Sequence, residues 1–332
     1  MQPDPHAARR HPHPHRRSLP YRPPHRQVRR TGALAALVAL SALVAACGSS
    51  TTSTTSSDRA GGSSASTAVR ATGPVDVLYA GSLVHIMETD VGPAFDHATG
   101  ATFDGFAGGS TGLASEIRGG TQQADVFVSA SPSVNTSLEG PANGSWVSWY
   151  ATFATAPLVL GYNPSSRFAA ALRTRPWYDV VTSPGFLLGR TDPAVDPKGK
   201  LAVEALDTTA HDQHLPGLAA LASSTSGVFP EEALVGRLQS GQLDAGFFYA
   251  NEAVAAHIPT VPLTSLHLGA TYTVTVVERA PHPAAADAFV QFLLGAQGRA
   301  ILTRDGLTVT SPVAVTGAAS VPPSLRAALG LG

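Results

Sequence analysis

The chain has 332 residues, 43% of them hydrophobic and 14% charged, with a formal net charge of −1. That length can bury one large core or two moderate ones. Eight of the 22 basic residues but only one of the 23 acidic ones, Asp4, lie before Ala46, so the remainder carries a net charge of about −8; this balance argues against a nucleic-acid partner. Cys47 is the only cysteine, which excludes an internal disulfide and a thiolate metal cluster.

The first 30 residues, rich in Arg, His and Pro, cannot form a core. Ala33 to Ala46 is an apolar run of 14 residues, shorter than the roughly 20 that span a bilayer, and it reads as the apolar region of a signal peptide. It ends in Val44-Ala45-Ala46-Cys47, a small-residue site before a cysteine that resembles the lipobox of bacterial lipoproteins. The expectation is a signal peptide over 1–46, a lipid attached at Cys47, and a Gly/Ser/Thr-rich tether over 47–73.

After the tether, apolar strands alternate with helix-like segments. Val75–Ala80 reads as a buried strand, and Leu83, Ile86, Met87, Val91 and Phe95 then fall at helical spacing up to Gly100, a C-cap signal. The cycle repeats at 101–120 and again at 124–140, predicting three β-α units on a parallel sheet. The Thr- and Pro-marked segment Trp146–Asn163 reads as one long strand or a strand pair. A second α/β region follows, with strands around "GFLLGR" and "LDAGFFYA" and helices around "KGKLAVEALDTTAHDQ" and "PEEALVGRLQSG". Thr271–Glu278 alternates as a strand, and residues 283–302 read as one or two amphipathic helices. The pattern implies two α/β lobes, 74–155 with 270–332 and 156–269, enclosing a cleft.

Gly108-Gly109-Ser110-Thr111-Gly112 matches the G-x-S-x-G elbow of serine hydrolases and lies at a strand-to-helix turn. Asp244 and His282 follow Ser110 in an order that could complete a triad, but no oxyanion loop of the HGGG type follows the first strand. The second reading is binding. Gly81-Ser82 forms the same kind of junction one β-α unit earlier, and both turns leave the carboxyl ends of adjacent strands, where open α/β folds hold ligands. Each turn offers a hydroxyl, free amides and a helix N-terminus to an anion. The plain alternative is that both serines are N-caps.

The turns "AGSL" and "GGST", with "ADVFVSAS", "PLVLGYNP", "GRTDPAVDPKG" and "LQSGQLDAGFFYANEAV", together resemble the molybdate/tungstate-binding proteins of bacterial and archaeal ABC importers, over Val75 to Val313. The resemblance implies a two-lobed type II periplasmic-binding-protein fold, each lobe a mainly parallel sheet flanked by helices. It implies a monomer, anchored at the extracytoplasmic face of the membrane, that delivers an oxyanion to a permease and needs no cofactor or free cation. It assigns Gly81, Ser82, Gly109, Ser110 and Thr111 to the ligand from the first lobe. From the second it brings Asp196 and Lys198 of the Asp-Pro-Lys-Gly turn, the backbone near Glu231, and the phenol of Tyr249. Members of the archaeal type carry two carboxylates against the anion. Asp196 fits the first position, Phe248 stands at the second, and Glu252 is a possible substitute. A sulfate-like anion, a sugar or a polyamine are the other solutes this frame could take, polyamines calling for several inward carboxylates.

Other chemistry-bearing residues read as structural. His211 and His214 lack a third metal ligand. His85 reads as solvated or packed, and Trp146, Trp149, Trp177 and Tyr178 as packing residues.

Overall fold

A computed structural model describes residues 73–332 except 264; the leader, Cys47 and the tether up to residue 72 lie outside the described residues. The first half holds β1 (Pro74–Ala80), α1 (Gly92–Thr99), β2 (Thr102–Gly108), α2 (Ser110–Gly119), β3 (Val126–Ser129), α3 (Pro132–Thr136) and the thirteen-residue β4 (Tyr150–Tyr162). Next come α4 (Ala169–Thr174), α5 (Trp177–Val181), β5 (Leu188–Gly189), α6 (Pro197–Asp212), α7 (Pro216–Ser223), α8 (Glu231–Gln239), β6 (Ala245–Tyr249), α9 (Ala250–Ala255) and β7 (Thr260–Pro262). The chain finishes with β8 (Gly269–Val276), α10 (Pro283–Leu294), α11 (Ala296–Arg304), β9 (Thr308–Thr316) and α12 (Pro323–Arg326).

Among the described residues nine strands form one hydrogen-bonded network in the order β2-β1-β3-β8-β4-β6-β5, with β7 and β9 also paired to β4. The parallel sheet expected from the β-α repeats holds for β2-β1-β3 and again for the short β5-β6 pair. The expectation of mainly parallel sheets does not hold beyond these, because β8 runs antiparallel to both β3 and β4, and β4 antiparallel to β6. No single crossover helix links these neighbours, so nothing enforces a parallel return. β4 carries two sets of partners: Tyr150–Pro157 pairs with β8 and β9, and Leu158–Tyr162 with β6 and β7.

The segment after β1 is helical throughout but not regular. A 3-10 turn (Gly81–Leu83) leads into a wide π turn (Ile86–Val91) and then α1. Pro93, at the start of α1, has no N–H to close an α-type bond, and the backbone widens just before it, with Gly92 N bonding to Met87 O. The apolar positions still land inside: Leu83, Ile86, Met87, Val91 and Phe95 are all buried, and Phe95 packs edge-on against Phe289 and Phe292. Gly100 closes α1 at a φ of 81°, as its position predicts.

The aromatic residues behave as packing residues. Trp149 and Trp177 are buried, and Trp177 lies edge-on to Phe247 and Tyr178, while Arg279 covers Trp146. His214 is exposed and sits at a φ of 54° just beyond α6.

Candidate functional site

Ala80 and Gly108 are register partners on adjacent parallel strands, so Ser82 and Ser110 each lie two residues beyond the same rung. Both side chains are buried. Neither caps a helix: Ser110 is the first residue of α2, whose N-cap is Gly109, and no side-chain cap bond forms at either turn. Instead each hydroxyl oxygen accepts a bond from elsewhere. Ala130 N–H donates to Ser110 Oγ at 3.1 Å, and Tyr272 O–H donates to Ser82 Oγ at 2.9 Å. With those acceptors engaged, each serine still has its own proton to give. Asn251 braces the first turn, donating from Nδ2 to Ser82 O at 2.8 Å, while its Oδ1 lies 3.3 Å from the Tyr272 hydroxyl, whose one proton goes to the nearer Ser82 Oγ.

These turns meet the Thr191–Lys198 turn and the start of α8 at close range. Gly112 N donates to Val195 O at 2.9 Å. A Cβ on Gly109 would stand 2.5 Å from Val195 O and 3.1 Å from Asp196 Cβ, and a Cβ on Gly81 would stand 2.9 Å from Glu231 Oε2. Gly109 therefore permits a backbone approach that a side chain would block, and Gly81 the close approach of the Glu231 carboxylate.

Asp196 caps α6, Oδ1 accepting from Lys198 N at 2.9 Å, while its Oδ2 is buried with no hydrogen-bond partner among the described residues. The fully buried Lys198 ammonium donates to both oxygens of Glu252, at 2.7 and 2.9 Å, and lies 3.1 Å from Glu231 Oε1 without the alignment of a hydrogen bond. Glu252 Oε2 also accepts from Tyr249 N at 2.8 Å. Tyr249 is fully buried and its hydroxyl, like Thr111 Oγ1, has no partner among the described residues.

Three carboxylates thus surround one ammonium away from water. Burial alone would lower the Lys198 pKa, but Glu231, Glu252 and Asp196 outweigh it and hold the ammonium charged. Burial, then Asp196, pushes the Glu231 carboxyl well above the ordinary range against the pull of Lys198. Burial, then Asp196, likewise raises the Tyr249 phenol, which stays a protonated donor.

Clefts of about 450 Å³ and 320 Å³ flank the start of α8 and share Glu231 and Glu232. The larger runs over Ser82, His85, Asn251 and Glu252, the smaller over Gly109, Thr191 and Asp196. His85 is exposed, 4.0 Å from Asp90.

Of the residues expected at the ligand from the sequence, Gly81, Ser82, Gly109, Asp196, Lys198, Glu231 and Tyr249 are linked through these contacts, and Ser110 and Thr111 follow Gly109 at the start of α2, with two differences of role. Lys198 spends its ammonium on carboxylates, and Glu231 brings its side chain where only its backbone was expected. Phe248 is buried on the opposite side of β6 from Tyr249, against Gly161 and Gly246. Tyr272 and Asn251 were missed. Tyr272 stands out as the one hydroxylated ring among the inward Val274 and Val276 of an alternating strand, and Asn251 as an amide directly after Tyr249-Ala250.

The triad is not assembled. His282 Nδ1 is 2.9 Å from Asp125 and 3.8 Å from Asp76, which lies four residues before Ala80 on β1, about 13 Å away along a strand from the rung that leads to Ser110. Asp244 accepts from Ser166 Oγ and Leu187 N instead.

This mixed-sheet α/β chain brings strand-end turns with buried hydroxyls against a second set of turns, a place where a small solute could be enclosed. Residues 75–308 match the bacterial extracellular solute-binding proteins, and the chain belongs to that family. It is a binding protein and not an enzyme. It is 31% identical over 209 residues to a Haloferax volcanii protein carrying the provisional name ABC transporter molybdenum-binding protein, covering 61% of this chain and 65%, just under two thirds, of that one. It is 23% identical over 276 residues to the molybdate/tungstate-binding protein WtpA of Thermococcus kodakarensis, covering 68% of this chain and 77% of that one. The Azotobacter vinelandii periplasmic molybdate-binding protein shares the fold, with a TM-score of 0.56 at 20% identity over 71% of this chain and all of that one.

Proposed function

We propose that this chain is the lipid-anchored solute-binding component of an ABC importer, and that it captures molybdate or tungstate and hands it to the permease. The anion would sit between lobe 74–155 with 270–332 and lobe 156–269, which close over it. The observations that support this reading are the burial of Ser82 and Ser110, each two residues beyond one rung of β1 and β2, and the buried Tyr249 phenol with no partner among the described residues. Both oxyanions are fully deprotonated near neutral pH and call for donors. The names of the Haloferax and Thermococcus relatives support the choice of ligand, and the Val44-Ala45-Ala46-Cys47 sequence supports the anchor.

Magnitudes fit. Micromolar binding takes about 8 kcal/mol, and hydrogen bonds to a charged group supply about 1.5–3 kcal/mol each. Three hydroxyls with two or three turn amides reach that value and part of the cost of association. Opposing this, a carboxylate at ~5 Å from a dianion repels it by about 7 kcal/mol at an effective dielectric of 20.

That repulsion gives the second reading its footing. Asp196, Glu231 and Glu252 are the inward carboxylates a cationic solute such as a polyamine would use. Against it, Lys198 is sealed among them and already neutralises one. Titration calorimetry with molybdate, tungstate, sulfate, phosphate and spermidine separates the readings: heat from molybdate or tungstate supports the first, and heat from spermidine alone replaces it with the second.

A further inference from the structure

Donors explain only half of what faces this site. Asp196 Oδ2 and Glu231 Oε2 are buried acceptors with no hydrogen bond among the described residues, and Glu231 Oε1 has only the ion pair with Lys198. Fully ionised, Asp196, Glu231 and Glu252 outnumber Lys198 by two charges, and a dianion would double that excess away from water. We propose that the site captures its oxyanion together with one proton, shared between Glu231 and an anion oxygen, and so selects basic oxyanions over sulfate. This rests on the oxyanion reading of the site.

Glu231 is the place for the proton on geometric grounds. Glu252 is fixed by the two Lys198 bonds and by Tyr249 N, and one Asp196 oxygen by the α6 cap. Glu231 is held only by the 3.1 Å ion pair of its Oε1 with Lys198, and its Oε2, against the Gly81 turn, has no partner among the described residues. The charged and titratable groups facing it are Asp196 and Lys198 from α6, Glu252 from α9, Tyr249 at the end of β6 and Tyr272 from β8. Of these only Lys198 favours its ionised form, and burial with Asp196 raises its carboxyl, so a proton placed here is retained.

The chemistry then discriminates by basicity. The reaction joins one anion and one hydronium-derived proton to Glu231, ionised while the site is open to water and before the turns close over it, in a complex whose single proton bridges two oxygens. Molybdate and tungstate oxygens hold a proton far better than sulfate oxygens, which remain bare at any physiological pH. Sulfate therefore leaves Glu231 to carry the whole proton and offers it a poorer acceptor, while size need play no part.

Calorimetry of the mature chain with molybdate at pH 6, 7 and 8, in buffers of different ionisation heat, counts the protons. The expected result is uptake of close to one proton per molybdate, an affinity falling about tenfold per pH unit, and sulfate at least 100-fold weaker. Glu231→Gln, which carries an amide donor at every pH, should lose the uptake and bind molybdate at pH 8 at least as tightly as the parent; the proton count and the sulfate ratio stand even where this variant fails to fold. Molybdate binding with no proton uptake and a flat pH dependence overturns the inference and leaves the oxyanion reading in place. No binding of molybdate, tungstate or sulfate at any pH overturns both.

Discussion

Lys198 and Glu252, 54 positions apart in sequence, meet through two hydrogen bonds of 2.7 and 2.9 Å with the ammonium fully buried. A buried ion pair contributes little net of its desolvation, but breaking it strands a charge. Lys198→Met should therefore lower stability by about 3–5 kcal/mol, and adding Glu252→Gln should recover part of the loss. Thermal melts of the two variants check this; equal melting temperatures for the parent and Lys198→Met would show that the pair is not formed.

Tyr249 and Tyr272 predict opposite patterns although their rings pack edge-on at 6.1 Å. The Tyr249 hydroxyl has no partner, so Tyr249→Phe should leave the melting temperature unchanged or raised while weakening anion binding about tenfold or more. Tyr272→Phe removes the donor to Ser82 and should lower both stability, by about 1 kcal/mol, and affinity. Melts and calorimetry on the pair distinguish a ligand donor from a brace.

Gly109 should tolerate no side chain. The Cβ of Gly109→Ala would meet Val195 O, a backbone atom that cannot swing aside, so the two turns would be held apart. Affinity is expected to fall at least tenfold in calorimetry with little change in circular dichroism.

His282 predicts a pH dependence of stability away from the site. The hydrogen bond to Asp125, and then the charges of Asp125 and Asp76, raise its pKa above the usual 6.5. A raised pKa stabilises the fold fully below the unfolded value and ceases to do so as pH rises through the folded one. His282→Ala should therefore cost more melting temperature at pH 6 than at pH 9.

What could be read from the sequence follows from how far apart the interacting residues lie. The strands β1 to β3, the Gly100 cap and the non-helical character of β4 rest on local periodicity and turn chemistry, and they were legible. Ser82 and Ser110 were legible because the same Gly-Ser junction recurs after two successive strands. Their partners were not: Tyr272 and Asn251 reach Ser82 across 190 and 169 positions, and no local pattern links them. The mixed sheet was missed for the same reason, since the alternation of β8 looks identical whichever way its neighbours run. Lys198 read as a ligand contact because it lies in the Asp-Pro-Lys-Gly turn that carries the family resemblance, and only the fold brings Glu231 and Glu252 to claim it.

The central claim is that an oxyanion is held between Ser82, Ser110 and Tyr249. Crystals of the mature chain grown with tungstate test it most directly, through the anomalous signal of tungsten. One strong peak is expected within hydrogen-bonding reach of all three hydroxyls, with the oxygens of the anion as their acceptors. A peak elsewhere, or none at a tungstate concentration that saturates the relatives, would contradict it.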